Sequence, residues 1–178
     1  VNDDHAGASI ATEHLLALGH TRIGHLVGPG RVGELREQGF RATMTRHGAD
    51  AVVVPAGMSE ESGYAAARRV LATADRPTAL VAYNDLVAIG ALSAADDLGL
   101  VVPDDVSLVG YDDTYLGSIR HISLTTVDNG TFAIGAQAAR WLGERVHGRT
   151  PEPRVHRVPV SLVVRRTTSS PRPTADDR

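Results

Sequence analysis

The chain has 178 residues, which is long enough for one substantial hydrophobic core, and its 42% hydrophobic and 22% charged residues are typical of a folded globular protein. The net charge of −3 is spread without a basic stripe, which excludes a nucleic-acid-binding surface of the usual kind. No cysteine is present, so disulfides, thiolate metal sites and a cysteine nucleophile are excluded. The composition fits a reducing cytoplasm, and we expect a cytoplasmic protein.

Helical periodicity and short apolar runs alternate along the chain. Strands are predicted over residues 22–27, 51–54, 78–83, 106–111, 124–127, 155–158 and 162–165. Helices are predicted over residues 6–18, 34–47, 60–72, 85–98 and 131–146. Short apolar strands that alternate with amphipathic helices indicate βαβ units, so we predict an α/β fold with a doubly wound, mainly parallel sheet. The polar, Pro- and Ser-rich tail over residues 167–178 is predicted to be disordered.

The chain begins without Met and without a charged or apolar leader. We therefore interpret it as part of a longer protein with a further segment upstream. Its longest apolar run, residues 86–92, is far shorter than the roughly 18 residues of a membrane span.

The predicted helix 85–98 carries almost no polar face. Such a helix is either buried on all sides or meets another subunit. We favour the subunit contact, because helices that flank a small sheet usually keep one solvated face.

The loop over residues 28–33 matches the pattern GxGxxG between a strand and a helix, which is the fingerprint of a dinucleotide site. Pro29 removes one backbone amide that such a site uses for the pyrophosphate. The next strand ends in Pro55-Ala56-Gly57 and offers no carboxylate for a ribose. We therefore interpret the segment as a connecting loop and predict no cofactor.

Two polar pairs follow predicted strands, where ligands bind in doubly wound sheets. Asn84 and Asp85 are equally well explained as a ligand contact and as a helix N-cap. Asp112 and Asp113 are consistent with sugar hydroxyls, with Mg²⁺ or with a turn. Without a neighbouring base or nucleophile in the sequence, a binding or turn role is favoured over catalysis.

Other polar residues give weaker evidence. Arg36, in the first turn of the predicted helix 34–47, is either a forked donor into the same cleft or a solvated helix residue, and the second is favoured from the residues alone. The eight histidines form no HxH or HExxH pattern, so no metal site is predicted.

Taken together, these segments resemble the LacI/GalR family of transcriptional regulators, in the family's order and spacing. The matching stretches are HLLALGHTRIGHLVGP (14–29), REQGFRATM (36–44), RPTALVAYNDLVAIGAL (76–92), LGLVVPDDVSLVGYDD (98–113), SLTTVDN (123–129) and PVSLVVRRTT (159–168). The resemblance implies an N-terminal helix-turn-helix outside this chain and a two-lobed effector domain of the periplasmic-binding-protein-like (type I) fold.

By this resemblance the chain divides into unequal parts. Residues 1–127 are expected to form the carboxyl-side lobe, with 1–5 as a crossover. Residues 128–147 are expected to contribute a crossover and a helix of the amino-side lobe, and residues 148–166 the returning strands. Since most of the amino-side lobe lies outside this chain, we expect helix 131–146 to pack elsewhere, to be disordered or to be exchanged between chains.

The resemblance also implies an effector site. Arg36 takes the place of the family's effector-binding arginine, Asn84 matches the Asn of its ND motif, and Asp112 matches the first Asp of its GYDD motif. Asn129 stands where many members have a ligand-contacting amide. The resemblance thus implies that these four residues bind effector.

Other residues are possible effector contacts. Met58 and Thr131 replace aromatic side chains that stack on the sugar in some members, so Tyr83 or Tyr115 is a possible substitute. Family dimers form along both lobes. The expected dimer contacts here are Leu86, Ile89, Leu92 and Tyr115.

We therefore predict a non-enzymatic ligand-sensing domain that binds a small polar effector, sugar-like or nucleobase-like, and modulates DNA binding by a separate helix-turn-helix in a homodimer. One alternative is a periplasmic-type solute-binding protein of a sugar transporter. Another, less favoured, is a doubly wound enzyme that uses Asp112, Asp113 and Arg36.

Overall fold

The computed structural model describes residues 1–147 and 155–172, which form a six-stranded sheet in the order β2-β1-β3-β4-β5-β6. The first five strands are parallel, and β6 is antiparallel to β5. The strands are β1 (Arg22–Val27), β2 (Asp50–Pro55), β3 (Ala79–Ala82), β4 (Ser107–Tyr111), β5 (Thr125–Asp128) and β6 (Ser161–Val163). The helices are α1 (Asp4–Ala17), α2 (Gly30–Arg46), α3 (Glu60–Leu71), α4 (Asp85–Asp97), α5 (Tyr115–Ser118) and α6 (Thr131–Val146). The predicted α/β class and mainly parallel sheet are confirmed.

The helices cover the sheet in two pairs, α1 with α2 on one face and α3 with α4 on the other. Side chains of β3 alternate between the two cores, with Ala79 and Val81 facing the first pair and Leu80 and Ala82 the second. This alternation is the two-residue period of a strand, and it explains why strands buried on both faces are continuously apolar.

Glycine permits the close approach of α3 and α4. A Cβ added at Gly90 would lie 2.0 Å from the carbonyl oxygen of Glu60, and one at Gly63 would lie 2.4 Å from that of Val87. The two helix backbones are therefore in direct contact, which places the start of α4 firmly against the core.

Helix α2 begins earlier than expected and corrects the predicted loop 28–33. The helix starts at Gly30, so only two residues separate it from β1. A Cβ added at Gly33 would lie 1.9 Å from the carbonyl oxygen of Gly28. The glycine spacing therefore serves a tight strand-to-helix turn, which brings α2 directly to the carboxyl end of the sheet.

The predicted disorder of residues 167–178 is wrong for the first part of that segment, whereas residues 173–178 lie outside the described residues. Thr167 is 3% exposed, and its carbonyl oxygen accepts a hydrogen bond from the backbone amide of Leu108 at 2.7 Å. Its hydroxyl donates to the carbonyl oxygen of Leu108, and its Oγ1 accepts from the amide of Thr125. The polar composition of this segment provides the donors and acceptors that pair with the sheet.

Helix α6 is largely exposed to solvent. None of its residues is buried, and Phe132, Leu142 and Val146 are mostly exposed. The ring of Trp141 meets that of His156 edge-on at 6.4 Å between centroids. The segment thus forms a helix, one side of which lies beside Val1, His156 and Val158.

The returning segment has less strand than expected. Val158 forms only an isolated bridge with Asn2, and β6 covers three residues. Residues 148–154, the first part of the expected returning segment 148–166, lie outside the described residues. Within the described ranges, no helix has both the length and the apolar character needed to span a membrane.

Candidate functional site at the carboxyl end of the sheet

Four neighbouring strands end at the same edge of the sheet, and three of them are followed directly by predicted site residues. Tyr83 and Asn84 follow β3, Asp112 follows β4, and Asn129 follows β5. Arg36 reaches the same edge from α2, whose start follows β1. Parallel strands present their carboxyl ends to one crevice, so the topology gathers polar groups from distant parts of the chain.

Arg36 is buried and fully engaged rather than solvated, which excludes the interpretation favoured from the residues alone. Its Nε donates to Oδ1 of Asp4 at 2.9 Å, and its Nη1 donates to the carbonyl oxygen of Tyr83. The guanidinium carbon lies 3.5 Å from the ring centroid of Tyr111 and 4.8 Å from that of Tyr83. The two rings and the carboxylate fix the plane of the guanidinium.

Asp112 lies beside this arginine and holds Asn129. Its Oδ1 lies 3.8 Å from Nη2 of Arg36 and accepts a hydrogen bond from Nδ2 of Asn129 at 2.8 Å. Oδ1 of Asn129 accepts in turn from the backbone amide of Thr131 at 3.0 Å and from its hydroxyl. Three predicted site residues, Arg36, Asp112 and Asn129, are therefore brought together, with Thr131 attached to them.

The backbone of this loop is unusual, because Asp112 and Asp113 both have positive φ, 106° and 46°. Non-glycine residues rarely adopt this region, and they keep it where surrounding contacts hold them. Here Nη2 of Arg165 donates to Oδ1 of Asp113 at 2.6 Å, with about a quarter of each side chain exposed. The pair thus lies in a sharply bent loop that Arg165 anchors.

Burial raises the pKa of the Asp112 carboxyl to about 6, against the lowering effect of the Arg36 guanidinium. The nearby carboxylates of Asp85 and Asp4 raise it further, and the hydrogen bond from Asn129 lowers it. The ionised carboxylate is therefore less well solvated here than in water, which leaves it with capacity to accept hydrogen bonds from a bound molecule.

An open depression of about 670 Å³ lies above these residues, within the size range of small-molecule sites. Its lining is rich in acceptors, and Phe132, which is 90% exposed, adds an aromatic ring. The lining residues are Asp112, Asp113, Thr114, Asp128, Asn129, Thr131 and Phe132. Acceptor groups beside an aromatic face suit a ligand that has hydroxyl or amide donors and a flat apolar side.

Three further predicted residues do not line the depression. Asn84 caps α4, because its Oδ1 accepts from the amide of Val87 at 2.8 Å, and its Nδ2 donates to the carbonyl oxygen of Met58 at 3.0 Å. Met58 is 53% exposed, so its side chain is open to solvent. Tyr83 is 8% exposed and packs under Arg36, where its ring is engaged with the guanidinium.

The predicted dimer contacts lie away from the depression. Leu86 is 41% exposed and Tyr115 is 79% exposed, whereas Ile89 and Leu92 are partly buried. Helix α4 is thus apolar on both sides, with one side in the core and the other partly open to solvent.

Sequence reasoning missed two acidic residues that hold the site. Asp4, 6% exposed, makes the ion pair with Arg36 at 2.9 Å, and Asp85, fully buried, holds the loop after β4. Asp4 was assigned to a crossover, and Asp85 was considered only as a cap or ligand contact. The sequence gives no indication of these pairings, because Asp4 and Arg36 are 32 residues apart.

Comparison with known proteins identifies the family. The profile of the periplasmic binding protein-like domain matches residues 12–168. A curated relative, the HTH-type transcriptional regulator DegA of Bacillus subtilis (strain 168), is 37% identical over 174 residues, 95% of this chain and 51% of the relative.

Two solved structures are closely similar. One is a LacI-family transcriptional regulatory protein from Corynebacterium glutamicum, with a TM-score of 0.87 and 41% identity, covering 96% of this chain and 66% of that chain. The other is a LacI family transcriptional regulator from Enterococcus faecium with bound ribose, with a TM-score of 0.85 and 28% identity, covering 95% of this chain and 64% of that one.

The chain spans about half the length of the curated relatives it matches. The profile match covers most of its residues, the curated relative is a transcriptional regulator, and the structural neighbours are LacI-family regulators. The resemblance drawn from the sequence is thereby confirmed, and the chain belongs to the periplasmic binding protein-like domains of the LacI family of transcriptional regulators.

Proposed function

We propose that this chain is the ligand-sensing domain of a transcriptional regulator, and that a small polar effector, sugar-like or nucleobase-like, binds at the carboxyl end of its sheet. The observation that carries the proposal is the convergence of Arg36, Asp112 and Asn129 beside an open depression. The ribose in one similar regulator supports a polyhydroxylated ligand.

The chemistry of the site favours a ligand rich in hydrogen-bond donors. Asp112 presents a carboxylate acceptor that Asn129 holds in place, while Arg36 is already paired with Asp4 and supplies a fixed positive charge behind it. Effector binding would stabilise a closed arrangement of two lobes and so change the spacing of DNA-binding heads outside this chain.

We further propose that residues 1–127 form one lobe, with 1–5 as a crossover, and that residues 128–147 reach toward a second lobe. The exposure of α6 supports this division, because an amphipathic helix with no buried residue has an apolar side available for another structural layer. Residues 148–166 would then return to the first lobe, where β6 pairs with β5.

Calorimetric titration of the full-length protein with ribose, glucose, cellobiose, hypoxanthine and guanine tests the proposed site. We expect at least one of these compounds to bind, and Asp112→Asn and Asn129→Ala each to weaken that binding by about tenfold or more, since each removes a charged or amide partner. Asp104→Asn is the matched control, because Asp104 pairs with Arg172 elsewhere on the chain. Equal affinity in the wild type and Asp112→Asn would show that the effector binds elsewhere.

We also propose a homodimer through the exposed side of α4 and the start of α5, where Leu86, Ile89, Leu92 and Tyr115 are the contacts. Ile89→Glu is expected to give monomers in sedimentation velocity, because a carboxylate would be buried without a partner at the contact. Ser93→Glu, at an exposed position on the same helix, is the control for added charge. A stable dimer in Ile89→Glu would contradict this assignment.

The other interpretations are less well supported. The similar proteins named above are regulators, which favours the main proposal over a transporter's solute-binding protein. The same relationship supports a non-enzymatic role, and a cytoplasmic location follows from action on DNA. Operator DNA would be contacted only through a helix-turn-helix outside these residues.

A further inference from the structure

Asp85 is a fully buried carboxylate at the start of α4 that bridges two other segments. Its Oδ2 accepts hydrogen bonds from the backbone amide of Thr114 at 2.7 Å and from the Thr114 hydroxyl at 2.8 Å. Its Oδ1 accepts a hydrogen bond from the hydroxyl of Thr126, on β5, at 2.6 Å. Three donors thus satisfy a carboxylate that would otherwise be costly to bury.

The fold leaves just enough space for this carboxylate. A Cβ added at Gly110 of β4 would lie 2.4 Å from Oδ1 of Asp85, and one at Gly117 of α5 would lie 3.3 Å from Oδ2. The slot therefore depends on a glycine in the strand before the loop, and the contacts of Asp85 are closely packed as well as hydrogen-bonded.

The bridge joins the lining of the depression to the outer surface. Thr114 lines the depression together with Asp112, and the next residue, Tyr115, is 79% exposed. Asp85 is followed by Leu86, which is 41% exposed. The bridge therefore connects a lining residue to two exposed apolar side chains.

Other contacts hold the same loop, but they reach different elements. Asn129 holds Asp112 from the end of β5, and Arg165 holds Asp113 from the residues after β6. The hydrogen bonds of Asp85 are those that join the loop to α4. This carboxylate is therefore a direct hydrogen-bonded contact between the loop and α4.

We propose that Asp85 is a positioning residue that locks the start of α4 to the loop after β4, so that the cleft and the exposed surface of Leu86 and Tyr115 move as one unit. The inference rests on the proposed function, because it takes the cleft to be an effector site. The contact between the loop and α4 itself exists without an effector. It gives effector binding a short, rigid route to the surface proposed as the dimer contact.

Backbone amide hydrogen exchange in the 178-residue chain tests this link without any effector. Asp85→Asn leaves at least one donor unpaired, so we expect exchange at the amides of Thr114 and Gly117 to rise about tenfold. Thr114→Val, which removes one hydrogen bond and keeps the backbone, is the milder variant if Asp85→Asn does not fold. Thr114→Ser keeps the hydroxyl that Thr114→Val lacks, and we expect it to keep the protection of the wild type.

Transmission is measured with a second change in the cleft. Asp112→Asn is expected to alter exchange at the amides of Val87 and Ala88, at the start of α4, by about threefold or more in the wild-type background, and to have no such effect in the Asp85→Asn or Thr114→Val background. Thr12→Val is the matched control, because this buried hydroxyl donates to the carbonyl oxygen of Ala8 within α1 and not to the loop.

The outcomes separate clearly. If Asp112→Asn has the same effect in both backgrounds, or none in the wild type, the link is overturned. If Thr12→Val also abolishes transmission, the effect is general destabilisation and the proposal is likewise overturned. If none of the probe compounds binds, the proposed function is contradicted but the link is not, because the exchange experiments contain no effector.

Discussion

The buried ionisable side chains His25 and Arg36 differ in the partners that the fold places beside them. His25 is fully buried, its Nδ1 lies 3.0 Å from the carbonyl oxygen of Val81, and its ring lies 5.1 Å from that of Phe40. Burial lowers its pKa to about 4, so it is neutral at physiological pH. The buried guanidinium of Arg36 instead pairs with the carboxylate of Asp4.

Asp112 gives a pH-dependent prediction. Its pKa of about 6 in the folded chain exceeds the ordinary value near 4, so the stability contributed by its proton is fully present below about pH 4 and is lost as the pH rises through 6. Asp112→Asn mimics the neutral form, and we expect its free energy of unfolding to exceed that of the wild type by about 1 kcal/mol at pH 7.5, after allowance for solvent screening.

Urea unfolding at pH 7.5 and pH 4 measures this difference, which should nearly vanish at the lower pH. A variant less stable than the wild type at pH 7.5 would show that the contact with Arg36 outweighs the burial of the charge. Together with the expected loss of effector binding, a stabilised Asp112→Asn would mark a residue retained for function at a cost in stability.

At the scale of the elements, the segment after β6 contributes buried hydrogen bonds that we expect to stabilise the folded chain. Thr167 exchanges hydrogen bonds with Leu108 and Thr125, which are 59 and 42 residues away in the sequence. We expect Thr167→Ala to lower the free energy of unfolding by about 2 kcal/mol, since it removes two buried side-chain hydrogen bonds and leaves their partners unpaired. Denaturant unfolding of the chain provides the measurement.

Ser170→Ala, at an exposed position in the same segment, is the control and should change the free energy of unfolding by less than about 0.5 kcal/mol. If Thr167→Ala proves equally mild, the segment is not held by these hydrogen bonds, and the sequence-based expectation of disorder would be restored for it.

At the scale of the whole molecule, the apolar side of α6 is not buried by any part of the chain that the structure describes. Leu142 is 64% exposed, so Leu142→Ser should change the free energy of unfolding of the chain by less than about 0.5 kcal/mol. Leu15→Ala, in the core under α1, should lower it by about 3 kcal/mol.

Repeating the Leu142→Ser measurement in the full-length protein tests whether a second lobe covers α6. We expect destabilisation by about 2 kcal/mol there, because the side chain would then be buried. A negligible effect in both proteins would contradict the proposed division of the chain between two lobes.

The sequence by itself determined the order and type of most elements, because apolar periodicity, glycine stops and N-caps act over a few residues. It did not indicate the short helix α5, and it predicted a strand at 155–158 where the structure has only an isolated bridge. It also placed Asp112 and Asn129 at strand ends, and the carboxyl-end rule for parallel sheets then predicts one edge for both. Only the tertiary structure decided that Asp4 fixes Arg36, that Asp85 holds Thr114, and that Thr167 pairs with Leu108. Those contacts join residues 29 to 59 positions apart, and their energies come from burial and hydrogen-bond geometry that exist once the sheet has assembled.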